Sequence, residues 1–180
     1  MLKEVSRKLS AAEKRLIRTR AKSVRSNIIS GIYPDSIALH MTDFAGRLEV
    51  EAQTGRAYSI LCKPTRIITR TEIEDEGASW IFDGGDGNYL GLFGQDFWET
   101  PRFPSSFFEI ISGATFRTII AMRSLADTHP PLSYISVPEE AWKPIWKSDL
   151  WRSSDPVWIE AEPEIDPVEL VRTAHTCIRK

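Results

Sequence analysis

The sequence predicts a mainly β chain, an antiparallel barrel or sandwich, preceded by an N-terminal amphipathic basic helix and closed by a short C-terminal helix, α+β in balance. Three observations predict it. Near Ser10 a capping box opens a run with helical period; after Pro34 the apolar period shortens to two; and Asp166-Pro167 starts a second helical pattern near the end. With 180 residues, 42% hydrophobic and 27% charged, the chain has the composition of a folded globular protein rather than a disordered one. The expected division is a basic helical arm over residues 1–33 and a β-rich domain over 34–180.

The arm is the most legible element. Ser10-Ala-Ala-Glu13 has the spacing in which a serine hydroxyl accepts from the N3 amide while the glutamate reaches back to the cap amide. From there Leu9, Ala12, Leu16, Ile17, Ala21, Val24 and Ile28 recur at steps of three and four, and Arg15, Arg18, Lys22 and Arg25 recur on another face. Gly31 and Pro34 mark the end.

In Gly46 to Gln53, Leu48, Val50 and Ala52 alternate with Arg47, Glu49 and Glu51, the pattern of a strand with one wet side. Thr54-Gly55 then reads as a turn into Arg56 to Lys63, a hairpin. Further strands are expected at Ser36 to Thr42, Arg66 to Ile73, Ala78 to Phe82, Tyr89 to Phe93, Phe107 to Ser112, Thr115 to Met122, Leu132 to Val137 and Val157 to Ala161. The segment from Thr115 also suits a helical period, and strand is preferred there. About ten short segments with turn residues between many of them favour a barrel or sandwich. At the end, Asp166 as N-cap, Pro167 at the first helical position and Glu169 in the first turn predict a short helix with a stripe of Val171, Ala174 and Ile178.

Asp83-Gly-Gly-Asp-Gly87 lies between Trp80-Ile-Phe and Tyr89 to Phe93, and it fails every ligand motif it suggests. Counting from Asp83, positions 3, 5 and 12 of a calcium loop fall on Gly85, Gly87 and Gly94, and no Gly-Lys-Ser/Thr follows for a phosphate loop. A tight turn is expected. His40, His129 and His175 have no zinc spacing, and although His40 lies near Asp43 and His129 near Asp127, no serine or cysteine stands in a nucleophile elbow. No cofactor, metal or catalytic residue is assigned. Two cysteines, Cys62 and Cys177, make no disulfide framework, and the start lacks the apolar core of a secretory signal, so a soluble cytoplasmic protein is expected.

The charge is uneven. Residues 1–25 hold nine Lys and Arg against two Glu, a balance of +7, while the other 155 residues carry 14 basic and 23 acidic side chains, a balance of −9. Such an arm suits an anionic partner or an acidic protein surface. Of six tryptophans, Trp142, Trp146, Trp151 and Trp158 crowd one stretch beside Lys143, Lys147 and Arg152, where they suit either partner contact or large caps on the core. The expected function is a non-enzymatic binding or adaptor module with a protein partner, using a β-surface and the basic helix. The candidate contacts are Arg15, Arg18, Lys22, Arg25, Trp142, Trp146 and Trp151. A small hydrolase without a linear motif, and a nucleic-acid or anionic-membrane binder acting through the arm, are the alternatives.

Overall fold

The structure, a computed structural model, describes residues 1–70, 79–93, 103–126, 133–148 and 156–178. It is a mixed α+β chain with two sheets, and it divides into two compact units, each described by itself. Unit one comprises Met1–Lys3, Ile60–Ile110 and Met122–Lys180; unit two comprises Glu4–Ser59 and Ile111–Ala121. Among the described residues neither sheet closes on itself, so of the expected barrel or sandwich the barrel is not shown, while two sheets with helices fit the sandwich-like α+β expectation loosely.

The elements in order are β1 (Leu2–Lys8), α1 (Ala11–Ile29), α2 (Asp35–Thr54), β2 (Arg56–Cys62), β3 (Arg66–Arg70), β4 (Ser79–Asp83) and β5 (Asn88–Leu92). They continue with β6 (Phe108–Gly113), β7 (Ile119–Ser124), β8 (Ser133–Ser136), α3 (Glu139–Trp146), β9 (Val157–Glu160) and α4 (Pro167–Thr173). One sheet has the order β1-β2-β6-β7 and the other β8-β3-β4-β5-β9.

In unit two, α1 starts where its capping box puts it. Ser10 Oγ accepts from Glu13 N at 3.2 Å and Ser10 N donates to Glu13 Oε2 at 2.8 Å. Arg7 adds a two-point ion pair on the same carboxylate, with nitrogens at 2.7 and 2.9 Å. Bonded first by Arg7 and then by the cap, the Glu13 carboxyl is held down at about 2 from its ordinary 4.5. The helix ends at Ser30, and Gly31 follows with φ of 70°.

The next element overturns an expectation. Ser36 to Thr42 and Gly46 to Gln53 are not strands, and no hairpin joins the latter to Arg56; residues 35–54 form α2. Its buried positions are Ala45, Leu48, Glu51 and Ala52, a helical spacing, whereas Val50, which alternation would bury, is exposed. Gly55 ends the helix in the left-handed region at φ 69° and donates to Glu51 O, so it is a helix cap and not a hairpin turn. The core of this unit joins Ile17 and Ala21 of α1 to Leu48 and Ala52 of α2 and to Ala57, Ile111 and Ile120 of the strands.

Glu51 is fully buried. Its oxygens accept from Thr115 N at 3.0 and 3.1 Å and also from Phe116 N, so the carboxylate fills the turn that links β6 to β7. That turn begins at Gly113, where a Cβ would stand 2.0 Å from Glu51 Cδ. It pushes the start of β7 to Ile119, later than the Thr115 start the sequence suggested.

In unit one, β3, β4, β5 and β9 pair antiparallel, but β8 joins β3 in parallel, so the sheet is mixed. The tight turn from Asp83 to Gly87 is as expected, with positive φ at Gly85, Asp86 and Gly87. Asp83 Oδ1 accepts from Gly85 N at 2.8 Å and Oδ2 takes Arg66 Nε at 2.6 Å, so both oxygens are engaged in shaping the turn. One face of this sheet presents Ile68, Ile81, Tyr89 and Ile159 to Trp142 and Ile145 of α3 and to Leu170 and Val171 of α4. On the opposite face Phe82 meets Phe103 and Phe108, with ring centroids 5.7 and 4.8 Å apart. β4 is therefore buried along its whole length.

Two elements went unforeseen. β1 lies before the capping box, in residues read only as the charged lead-in of the arm. α3 sits where no helix or strand was expected: Pro138 is its N-cap, and the helix runs two residues past Pro144. The C-terminal helix is capped as expected, Asp166 Oδ1 accepting from Val168 N and Glu169 N, although Ile178 lies beyond the helix, bridged to Ile159.

Four outcomes follow from this packing. Glu51→Ala leaves Thr115 N and Phe116 N without their acceptor and should cost about 3 kcal/mol in chemical denaturation. Gly113→Ala should also destabilise the protein, yet cost much less in the Glu51→Ala background, because the clashing carboxyl is gone; equal costs in both backgrounds would refute the contact. For Glu13, whose folded pKa lies below its ordinary value, the stabilisation is complete above pH 4.5 and fades as pH falls toward 2. The stability gap between native protein and Glu13→Gln should close over that acid window, and a gap independent of pH would contradict it. Trp142→Ala, which empties the centre of the α3 and α4 layer, should cost about 3 to 5 kcal/mol, and a melting temperature near native would show that the ring is not core.

Candidate functional site

Nineteen residues of α1 wind around an axis at about 100° per residue, and this sets which charges meet water. Ile17, Ala21 and Val24 occupy the buried side. Arg15, Arg18 and Lys22 fall on the opposite side and are exposed, and no carboxylate among the described residues pairs with them. Three cations thus share one open face.

Arg25, the fourth expected member, is committed elsewhere. Its guanidinium holds Glu49 of α2 in a two-point pair at 2.7 and 2.8 Å, which raises the Arg25 pKa and lowers that of Glu49. Reading residues 46–53 as a strand hid this pair, since only a helical α2 packed on α1 brings Glu49 alongside. Arg20 is structural: it donates to Ile119 O at 3.1 Å and lies 5.0 Å from the Phe44 ring centroid.

The tryptophans separate. Trp142 has 0% of its surface exposed, its ring packs edge-on to Phe93 and its Nε1 donates to Val137 O, which places it among the large side chains of the core. Trp146 is half-buried beneath the Arg70 guanidinium, 4.1 Å from its ring centroid. Trp158 is half-buried on β9. Trp151 lies outside the described residues, as do His129 and Asp127.

The remaining titratable candidates do not assemble a reaction centre among the described residues. His40 is exposed on α2, and its neighbour Asp43 pairs with Arg47 at 2.7 Å. His175 lines an open cleft of about 470 Å³ with Glu140, Lys143, Pro144, Lys147 and Ser148. The Ser148 hydroxyl donates to Ile145 O at 2.6 Å. Burial pushes the Cys62 thiol up, keeping it protonated and weakly nucleophilic. No group of three or more His, Cys, Asp or Glu is gathered among the described residues in a way that could hold a metal ion.

Sequence reasoning missed one feature. From Arg25 to Asp43 no residue is buried, so the end of α1, the connection and the start of α2 stand clear of the unit's core, which Phe44 is the next residue to join. Yet this stretch is rich in large aliphatics: Ile29 is 87% exposed, Leu39 81% and Ile32 64%, with Ile37 also exposed. The available signal was the density of Ile and Leu on both sides of Gly31 and Pro34, residues that mark a turn at the surface. No described helix is long and apolar enough to cross a membrane. The chain matches no family model, no curated protein and no solved structure.

Proposed function

We propose that the chain is a non-enzymatic binding module whose contact surface is the open face of α1 and whose partner is an anionic macromolecular surface. One observation carries this reading: Arg15, Arg18 and Lys22 share a solvent face with no carboxylate among the described residues to neutralise them, although neighbouring cations are paired. Unpaired cations on one rigid element attract an anionic surface together, and they do so without ordering cost in the backbone. The middle of the five-stranded sheet is a poorer contact, because β4 is buried along its whole length.

The test is binding of the intact chain at low salt to duplex DNA, single-stranded RNA and phosphatidylserine vesicles. The native protein should bind at least one, and Arg15→Ala, Arg18→Ala and Lys22→Ala combined should abolish it. With three phosphate contacts, raising salt from about 50 to 200 mM should weaken duplex binding roughly 40-fold. Binding that survives the triple change, or that ignores salt, rules out this face as the contact. Because the three side chains touch nothing in the core, the melting temperature should stay near native in the triple variant.

A further inference from the structure

The helical hairpin of α1 and α2 ends in a tip that soluble packing does not account for. Buried positions stop at Val24 on α1 and resume only at Ala45 on α2. Between them Ile29, Ile32, Ile37 and Leu39 all lie open to water. Isolated exposed aliphatics are ordinary, but four within eleven residues at the end of a helical hairpin are not.

The arrangement of these four decides what covers them. Ile37 and Leu39 are two positions apart on α2 and point about 200° from one another, yet both are exposed. A protein partner seated on one face would leave one of them in water, whereas a medium that surrounds the tip covers both. Four aliphatic side chains are also far fewer than the roughly 20 to 30 residues a side that a stable protein pair buries. A second copy of the chain is therefore a poor occupant.

Charge completes the case. Ile29 lies about 40° around the α1 axis from Arg15 and about 20° from both Arg18 and Lys22, so the cationic face runs straight into the apolar tip. Lys22 precedes Ile29 by seven residues, about 10 Å along the helix, close to the distance that separates the headgroup layer from the upper acyl chains. Apolar side chains at the leading end, with Lys22 about two turns behind and Arg18 and Arg15 about three and four turns behind, match an anionic lipid surface, in which the first enter the acyl boundary and the cations, Lys22 foremost, meet phosphate and carboxylate groups.

We infer that the α1 and α2 hairpin is a membrane-docking element: its tip, Ile29, Ile32, Ile37 and Leu39, inserts shallowly into an anionic bilayer surface while Arg15, Arg18 and Lys22 hold the headgroups. This deepens the reading of α1 as an anion-binding face and rests on it. The chain would lie on the membrane rather than span it.

The experiment uses the full chain, vesicles of mixed phosphatidylcholine and phosphatidylserine, vesicles of phosphatidylcholine alone, and duplex DNA and RNA as rival polyanions. Native protein should sediment with the mixed vesicles, bind phosphatidylcholine alone more weakly, and raise the surface pressure of a phosphatidylserine monolayer. The double variant Ile29→Ser with Leu39→Ser, whose side chains make no core contact, should keep the native melting temperature, lose more than about tenfold in vesicle affinity and leave the monolayer pressure unchanged. Undiminished vesicle binding by this variant would overturn tip insertion while leaving the cationic contact standing. Binding to DNA or RNA without binding to vesicles would overturn the membrane and keep the anionic partner. Binding to none of the probes would end both readings, and a concentration-dependent dimer that the double variant abolishes would assign the tip to self-association instead.

Discussion

The Glu51 carboxylate is the contact on which the helical unit turns. A charge taken fully out of water is costly unless donors replace the lost hydration, and here the donors are the backbone N–H groups of Thr115 and Phe116. The acid thus binds the middle of α2 to the turn between β6 and β7, and Gly113 is required because any side chain there would occupy the space of the carboxyl group. With α2 fastened at this point, Leu48 and Ala52 meet Ile17 and Ala21 from α1, and the root of the hairpin becomes rigid. Its far end, past Val24 and before Phe44, is left free of the core.

Unit one solves a different problem, covering a sheet from both sides. α3 and α4 bring Trp142, Ile145, Leu170 and Val171 to one face, and Phe103 and Phe108 close over Phe82 on the other. A mixed sheet with both faces covered has little need of alternating polar positions, which explains why β4 and most of β5 are buried throughout. The Asp83 turn serves the same layer, with Arg66 joining β3 to the hairpin through the aspartate. Aspartates and glycines that suggest a ligand loop are here occupied with one another and with the arginine.

Electrostatics in the helical unit sorts the cations of the arm into two kinds. Arg7 and Arg25 are neutralised by Glu13 and Glu49, while Arg15, Arg18 and Lys22 keep their full charge toward water. A formal balance of +7 over the first 25 residues therefore overstates what a partner would feel, and the open face of α1 is where the remaining charge is concentrated. Beyond it lies an apolar tip, so unpaired like charges along α1 and exposed aliphatics at the end of the hairpin occur on one structural element.

What the sequence determined by itself was whatever depends on neighbours along the chain. The Ser10 box, the Asp166-Pro167 start and the Asp83 turn are made by residues within a few positions of each other, and their residue types specify the backbone directly. Tertiary structure decided the rest. Residues 46–53 satisfy alternation and helical spacing alike, and only the seat that Leu48, Glu51 and Ala52 find against α1 and the β6 to β7 turn selects the helix. The fate of each candidate contact was equally invisible. Trp142 and Trp146 sit four apart on one helix, yet the first is sealed beneath the sheet and the second is stacked by Arg70; Arg25 and Lys22 share a helical side, yet only Arg25 has a glutamate within reach. Burial and pairing are set by what arrives from distant parts of the chain, because a side chain's environment depends on three-dimensional neighbours that one-dimensional spacing does not encode.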